Sequence, residues 1–362
     1  MIRVRRGLVT AIERKRLGYT EALVQTGEAL EKAVSYDALT GPLQLGDEVV
    51  LNTTAVHKNL GTGGMHFVMA NLSHRELDPP AEGHIMKLRY TPGQVKVLAV
   101  EEEQHPLNQL YRGTDTLSGM PVIIGTLHSM LGPAAATLKK YAGEGTRVVY
   151  VMTDGAALPL QLSNLVAELK EKGLLQSTVT CGHAFGGDLE AVNVYSGLLA
   201  ARGVAGADAV IITMGPGIVG TGTSFGFTGT EQGELVNAVN VLGGRALAIP
   251  RITFADARER HRGLSHHTRT SLGKIALTSC VVTLPLMDGE KNGLVKEQLE
   301  DSGISRLHRT VEIDASATGE ILREYGLKVA TMGRGYEQDS EFFMAAGAAG
   351  IYAANLLNAG RT

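Results

Sequence analysis

At 362 residues, 44% hydrophobic and 20% charged, the chain is long enough for two or three domains, each able to bury its own core. A net charge of -3 sets up no field of one sign and so argues against nucleic acid or an anionic membrane as partner. Two cysteines, Cys181 and Cys280, exclude a disulfide framework and fit a reducing cytoplasm.

The first residues carry charge, but Glu13–Arg16 interrupts before any apolar core of signal-peptide length, and no segment approaches the roughly 18 apolar residues of a membrane span. The expectation is a soluble, cytoplasmic protein with no membrane partner. Glycine, at 45 residues without a collagen-like period, is the one compositional excess and signals tight turns and close backbone approaches.

Residues 1–100 alternate short apolar runs with turn chemistry: Ile2–Ile12, Tyr19–Gln25, Glu48–Asn52, then Ile85–Tyr90 and Val95–Val100 around a Pro92-Gly93 turn of type II. About seven short strands without a helix predict a small all-β barrel or sandwich. Within it, His57, Gly61–Gly64 and His66 read as a flexible surface turn, or else as a flap over the site of the second domain. Residues 101–119 are polar, with Glu101–Glu103 and Pro106, and read as a linker whose carboxylates point apart into solvent.

From 120 to 362, apolar runs of strand length alternate with helical patterns. The strand candidates are Pro121–Gly125, Arg147–Met152, Thr178–Cys181, Asp208–Met214, Ala246–Ile249, Cys280–Leu284 and His308–Ile313. Pro159 and Gly173 bracket one helix, Asp188 caps another running to about Arg202, and Thr228 with Glu231 resembles a capping box. A last helix, from about Ser340 to Leu357, carries a smooth face of Ala and Gly suited to core packing or to a subunit interface, hence a possible homo-oligomer. Nearly all-apolar strands between helices predict a doubly wound, mostly parallel α/β sheet.

Ligands bind beyond the carboxyl ends of such strands, and the residues that follow them are polar and titratable. The central one of these segments, Met214–Gly229, carries Gly215, Gly217, Gly220, Thr221, Gly222, Thr223 and Ser224, a loop whose backbone N–H groups suit a phosphate or carboxylate. Its Gly215-x-Gly217-x-x-Gly220 spacing lacks the following helix of a dinucleotide site, and a threonine stands where a P-loop needs lysine. Gly222-Thr-Ser224-Phe-Gly226 matches a nucleophile elbow, but about eight residues past the strand end.

After the fifth strand come Arg251, Asp256, Arg258, His261, His266 and His267, a local excess of base that favours an anionic ligand. The chemistry expected is acid–base catalysis by His183, His261, His266 or His267, oriented by Asp154 or Asp256. On one continuous helix the three later histidines would not share a face. No metal set or cofactor is assigned; a metal-assisted version pairs these histidines with Asp154 and Asp188. A serine hydrolase using Ser224 and a non-catalytic regulator or scaffold are the alternatives.

Leu51–Val56 with Gly61–Gly64, Val151–Ala156, Ala184–Asp188 and Arg260–His267 together resemble a bacterial family catalogued only as a domain of unknown function. The resemblance runs through most of the chain and implies no activity.

Overall fold

Alternation and turn chemistry put five strands of the first ninety-odd residues into a closed barrel. A computed structural model describes residues 1–360, which fall into two compact units, Met1–Leu98 and the chain from Ala99 on. In the first unit β1 (Val4–Arg16), β2 (Tyr19–Thr26), β3 (Ala29–Tyr36), β4 (Glu48–Asn52) and β5 (His66–Asn71) close in the order β1-β2-β3-β5-β4. Closure depends on the length of β1, which pairs with β4 through Val4–Leu8 and with β2 through Leu8–Arg16, bending at two bulges. At the seam a Cβ on Gly7 would stand 2.5 Å from Val24 Cγ1, so only glycine fits. Val9, Val24, Val49, Leu51 and Val68 fill the interior.

A hairpin of β6 (Ile85–Lys87) and β7 (Val95–Val97) follows across the Pro92-Gly93 turn. The unit adds two four-residue helices, Asp37–Thr40 and Thr54–His57, too short to show a helical period. His66 does not lie in the glycine turn. It opens β5, buried, with Nε2 3.1 Å from the Glu31 carboxylate, while His57 is exposed.

The second unit is built on β8 (Pro121–Ile124), β9 (Val148–Thr153), β10 (Ser177–Thr180), β11 (Leu189–Glu190), β12 (Ala209–Met214) and β13 (Arg245–Ala248). A small antiparallel pair follows, β14 (Ile252–Thr253) with β15 (Gly263–Leu264), and then β16 (Val281–Pro285) and β17 (Arg309–Ile313). Eight of them form one all-parallel sheet in the order β11-β10-β9-β12-β8-β13-β16-β17. The chain winds outward from β8 to one edge, returns to insert β12 beside β8, and winds to the other edge from β13. The carboxyl ends of β8, β12 and β13 therefore meet at the centre, where such sheets open a crevice. Every residue of β8, β9 and β12 is buried, as a sheet covered on both faces requires.

Helix Leu131–Ala142 packs against the last helix, Ser340–Ala359, at backbone distance. A Cβ on Gly350 would lie 2.2 Å from Thr137 Oγ1, which donates to Gly347 O at 3.0 Å. The small-residue face is thus core packing. That helix is also long and apolar enough, by length and composition, to cross a bilayer, contrary to the expectation that no segment approaches a span; 61% of its most apolar window is buried within the fold.

The polar stretch 101–119 is folded into this unit. Glu101 Oε1 accepts from Val192 N at 2.8 Å, Asn108–Arg112 forms a short helix, and Leu117 is buried. Two caps differ from those expected. Asn193, with Ser196, caps helix Val194–Gly203, because Asp188 is already held by Lys170 and Thr178. Glu231 opens helix Glu231–Val241 without capping it, its carboxylate taken by Thr153 Oγ1 at 2.9 Å.

Next to Glu231, the buried Gln232 amide donates to Ile124 O at 3.0 Å and Ile249 O at 2.8 Å and accepts from Ser271 Oγ at 3.0 Å. Gln232→Leu would strand the Ile249 carbonyl in the core, at about 1–3 kcal/mol, and remove two further bonds worth about 0.5–1.5 kcal/mol each, although Ile124 O keeps Ile249 N and Ser271 Oγ keeps Thr268 O. We expect urea unfolding to show a loss on the order of 2–4 kcal/mol; a change under about 0.5 kcal/mol would show that these bonds do not hold the edge together.

Candidate functional site

The glycine loop leaves β12 under close packing: a Cβ on Gly215 would stand 2.5 Å from Ala157 O, and Gly217 has φ +102°. Beyond Gly220, which bridges to Phe227, the tip folds on itself. Thr221 N donates to Gly226 O at 2.8 Å, Thr223 N to Thr221 Oγ1 at 3.3 Å and Gly226 N to Thr223 Oγ1 at 3.1 Å. These groups are used within the loop rather than turned toward one point. The helix starts only at Glu231, after a turn at Thr228–Thr230, so the third glycine of the dinucleotide pattern is not helical.

The three later histidines converge, which a single helix would not allow. After β13 the chain enters β14, makes an excursion that ends in a turn at Glu259–His261, and returns through β15 to Ser265. Ser265 caps helix His266–Thr270, taking the His267 N–H, and its Oγ lies 2.7 Å from His261 Nδ1. The rings of His261, His266 and His267 have centroids 4.4 to 5.1 Å apart, and His267 stacks on Phe227 at 4.0 Å. The helix then widens into a turn of π-helix, Ser271–Ile275, a distortion frequent at functional sites.

Burial first, and then the nearby Arg251 guanidinium, push His261 down to about 3 and His267 down to about 2. Burial lowers His266 as well, with Arg260 the next cause. All three imidazoles are neutral at physiological pH.

Asp256 does not orient a histidine. It takes a bidentate pair from Arg258 at 2.8 and 2.7 Å, with Arg251 3.5 Å and Arg334 3.8 Å away, and the guanidinium fork holds its carboxyl far below the usual range. Arg251 and Arg258 are thereby ion-paired, and Arg251 is buried. Ser265 and Arg251 are the groups that touch the histidine Nδ1 atoms.

A cavity of about 430 Å³ opens beside the cluster. Gly222 and Ser224 of the loop tip face His266, Arg260, Arg269 and Lys274 across it, with Asp301 the one carboxylate on its wall. Among the described residues no hydrogen bond joins Ser224 to a histidine.

His183 lies elsewhere. It follows β10, four strand positions from β13, or roughly 19 Å at the usual strand spacing. Its backbone N–H donates to Asp154 Oδ2 at 2.9 Å. Asp154 borders a second cavity, of about 340 Å³, with Thr153 and Glu231. Asp188 is tied to Lys170 at 2.6 Å and lies outside both cavities.

Burial pushes the Glu231 carboxyl up to about 7, with Asp154 and Glu234 adding repulsion against hydrogen bonding from Thr153. Sequence reasoning missed Glu231 because its spacing from Thr228 fits a cap. A raised acid binds its proton more tightly folded than unfolded, so its stabilising effect is complete below about pH 4.5 and lost as pH rises through about 7. Glu231→Gln is therefore expected to exceed the parent in stability at pH 8, on the order of 2 kcal/mol, with the gap closing toward pH 5. Denaturant unfolding at the two pH values measures this, and equal gaps would refute the assignment.

No curated protein and no solved structure matches the chain. A family model described as a protein of unknown function, DUF3866, matches residues 32–350 of the 362. That span takes in β4, β5 and the end of β3, the whole parallel sheet, the glycine loop and every histidine of the cluster, and the chain belongs to the DUF3866 family.

Proposed function

We propose that the protein binds a small anionic molecule, bearing a phosphate or a carboxylate, in the cavity between the glycine-loop tip and the histidine helix. The observation that carries this is the imbalance of charge on the cavity wall: Arg260, Arg269 and Lys274 against Asp301 alone. Arg269 is braced by its Nε donating to Leu264 O at 2.9 Å, which leaves its terminal nitrogens for a ligand. Lys274 lies over the Phe225 ring at 5.8 Å, so the loop tip and the basic wall are in contact. The side chains, more than the loop amides, supply the attraction.

His266 forms part of the same wall. Its neutral imidazole suits it to take a proton from a bound ligand or a water beside it, the role of a general base. On this reading the protein is an enzyme acting on its anion. A ligand that binds and is recovered unchanged would instead make it a binding protein.

Thermal unfolding against a panel of phosphorylated and carboxylated metabolites tests the proposal, since a ligand at a hundred times its dissociation constant adds about 2.7 kcal/mol. Charge-assisted hydrogen bonds are worth about 1.5–3 kcal/mol, so Lys274→Ala and Arg260→Ala, both at exposed positions, are each expected to weaken binding about 10- to 100-fold while leaving the free protein's stability unchanged. Binding that survives both substitutions, or no stabilisation by any anion, would remove the basis for the proposal.

A further inference from the structure

We propose that His261, His266 and His267 form a binding site for one divalent transition-metal ion, zinc or a first-row neighbour, through their ring nitrogens. Each residue offers a nitrogen that lies within 4.8 Å of the other two. Tetrahedral zinc with nitrogen ligands needs separations of about 3.4 Å, so a small inward rotation of the rings completes the geometry. Three neutral imidazoles with a fourth position open is the ligand set of a catalytic rather than a structural zinc.

The second observation is unsatisfied nitrogen. His261 is 1% exposed and His267 3%, and the Nε2 atoms of both His266 and His267 are buried without a hydrogen-bond partner. Buried polar atoms are normally paired, and a shared ion would satisfy both at once. Behind one ring, Ser265 Oγ at 2.7 Å from His261 Nδ1 can accept that ring's N–H, the outer contact that metal-binding histidines use, whereas behind another Arg251 Nη1 lies 3.3 Å from His267 Nδ1.

The Arg251 contact sets the proton inventory. A guanidinium only donates, so His267 Nδ1 accepts and the ring proton sits on Nε2. Metal binding at Nε2 therefore moves that proton, through solvent, to Nδ1. Arg251 then turns toward Asp256 Oδ2, 3.5 Å away. No net charge is lost from the protein. His266 also borders the anion cavity, so an ion here would stand beside a bound phosphate or carboxylate. The inference rests on ring nitrogens alone and does not require the anion reading.

The test uses the full chain, stripped with a chelator and titrated with Co²⁺ and with Zn²⁺ in the absence of any anion under study. We expect one equivalent of either metal per chain and, for Co²⁺, the intense visible bands of a four-coordinate site. His266→Ala, at a half-buried position, and His261→Ala should each weaken binding at least a hundredfold. Circular dichroism confirms folding, and His57→Ala, at an exposed barrel position, should leave affinity unchanged. If either cluster variant fails to fold, the other, with the Co²⁺ spectrum of the parent, decides. Folded parent protein that takes up no stoichiometric metal, or variants that retain it, would overturn the inference. Anion binding measured in chelator is a separate result: if it persists while no metal binds, the metal site is wrong and the anion site stands.

Discussion

One side-chain amide ties together the centre of the sheet's carboxyl edge. Gln232 donates to the carbonyl of the last residue of β8 and to the one just past the neighbouring β13, and accepts from the hydroxyl of Ser271 in the π turn. Gly233, beside it, permits the approach, since a Cβ there would stand 2.3 Å from Ser271 O. The preceding residue, Glu231, reaches the opposite way to Thr153 at the end of β9. Three consecutive residues thus hold the acid pocket and the histidine helix in a fixed relation. A loop of many glycines can be long here without being loose, because both of its ends are anchored.

The second constraint is electrostatic. A buried guanidinium, Arg251, sits against imidazole rings, and burial lowers it to about 10, so it keeps its charge at neutral pH. Its field opposes protonation of every histidine nearby. Asp256 and Asp339 face it and its neighbour Arg334, and Asp339, buried, is raised above the usual carboxylate range. Arg251 thus stands between two kinds of partner, the His267 ring at 3.3 Å and the Asp256 carboxylate at 3.5 Å.

Much of the fold was legible in the residues. Pro121–Gly125, Asp208–Met214 and the other apolar runs are strands because a sheet covered on both faces tolerates little else, and their alternation with helices dictates parallel pairing. The gathering of polar and titratable residues at one sheet edge follows from the same topology. The histidine geometry was not legible. His261, His266 and His267 are spaced badly for a helix, and only the two-residue pair β14–β15, too short to show a period, folds the chain so that they meet. Glu231 was hidden by a spacing that also describes a cap, and Asp256 by the assumption that an acid near histidines serves them, when a guanidinium fork binds it better. In the loop, glycine count predicted exposed amides, but threonine hydroxyls at 221 and 223 compete for them, as short polar side chains do in turns.

The barrel carries a consequence for how this family is cut. The matched span begins at residue 32, inside β3, yet the barrel is closed by β1, which lies wholly before it. A fragment trimmed to residues 32–350 would lose β1 and β2 and leave β3 and β4 each with a row of unpaired backbone donors and acceptors. Such edges recruit strands from other copies. Sticky, multimeric behaviour of that fragment would then report a severed seam and nothing about how the intact chain associates.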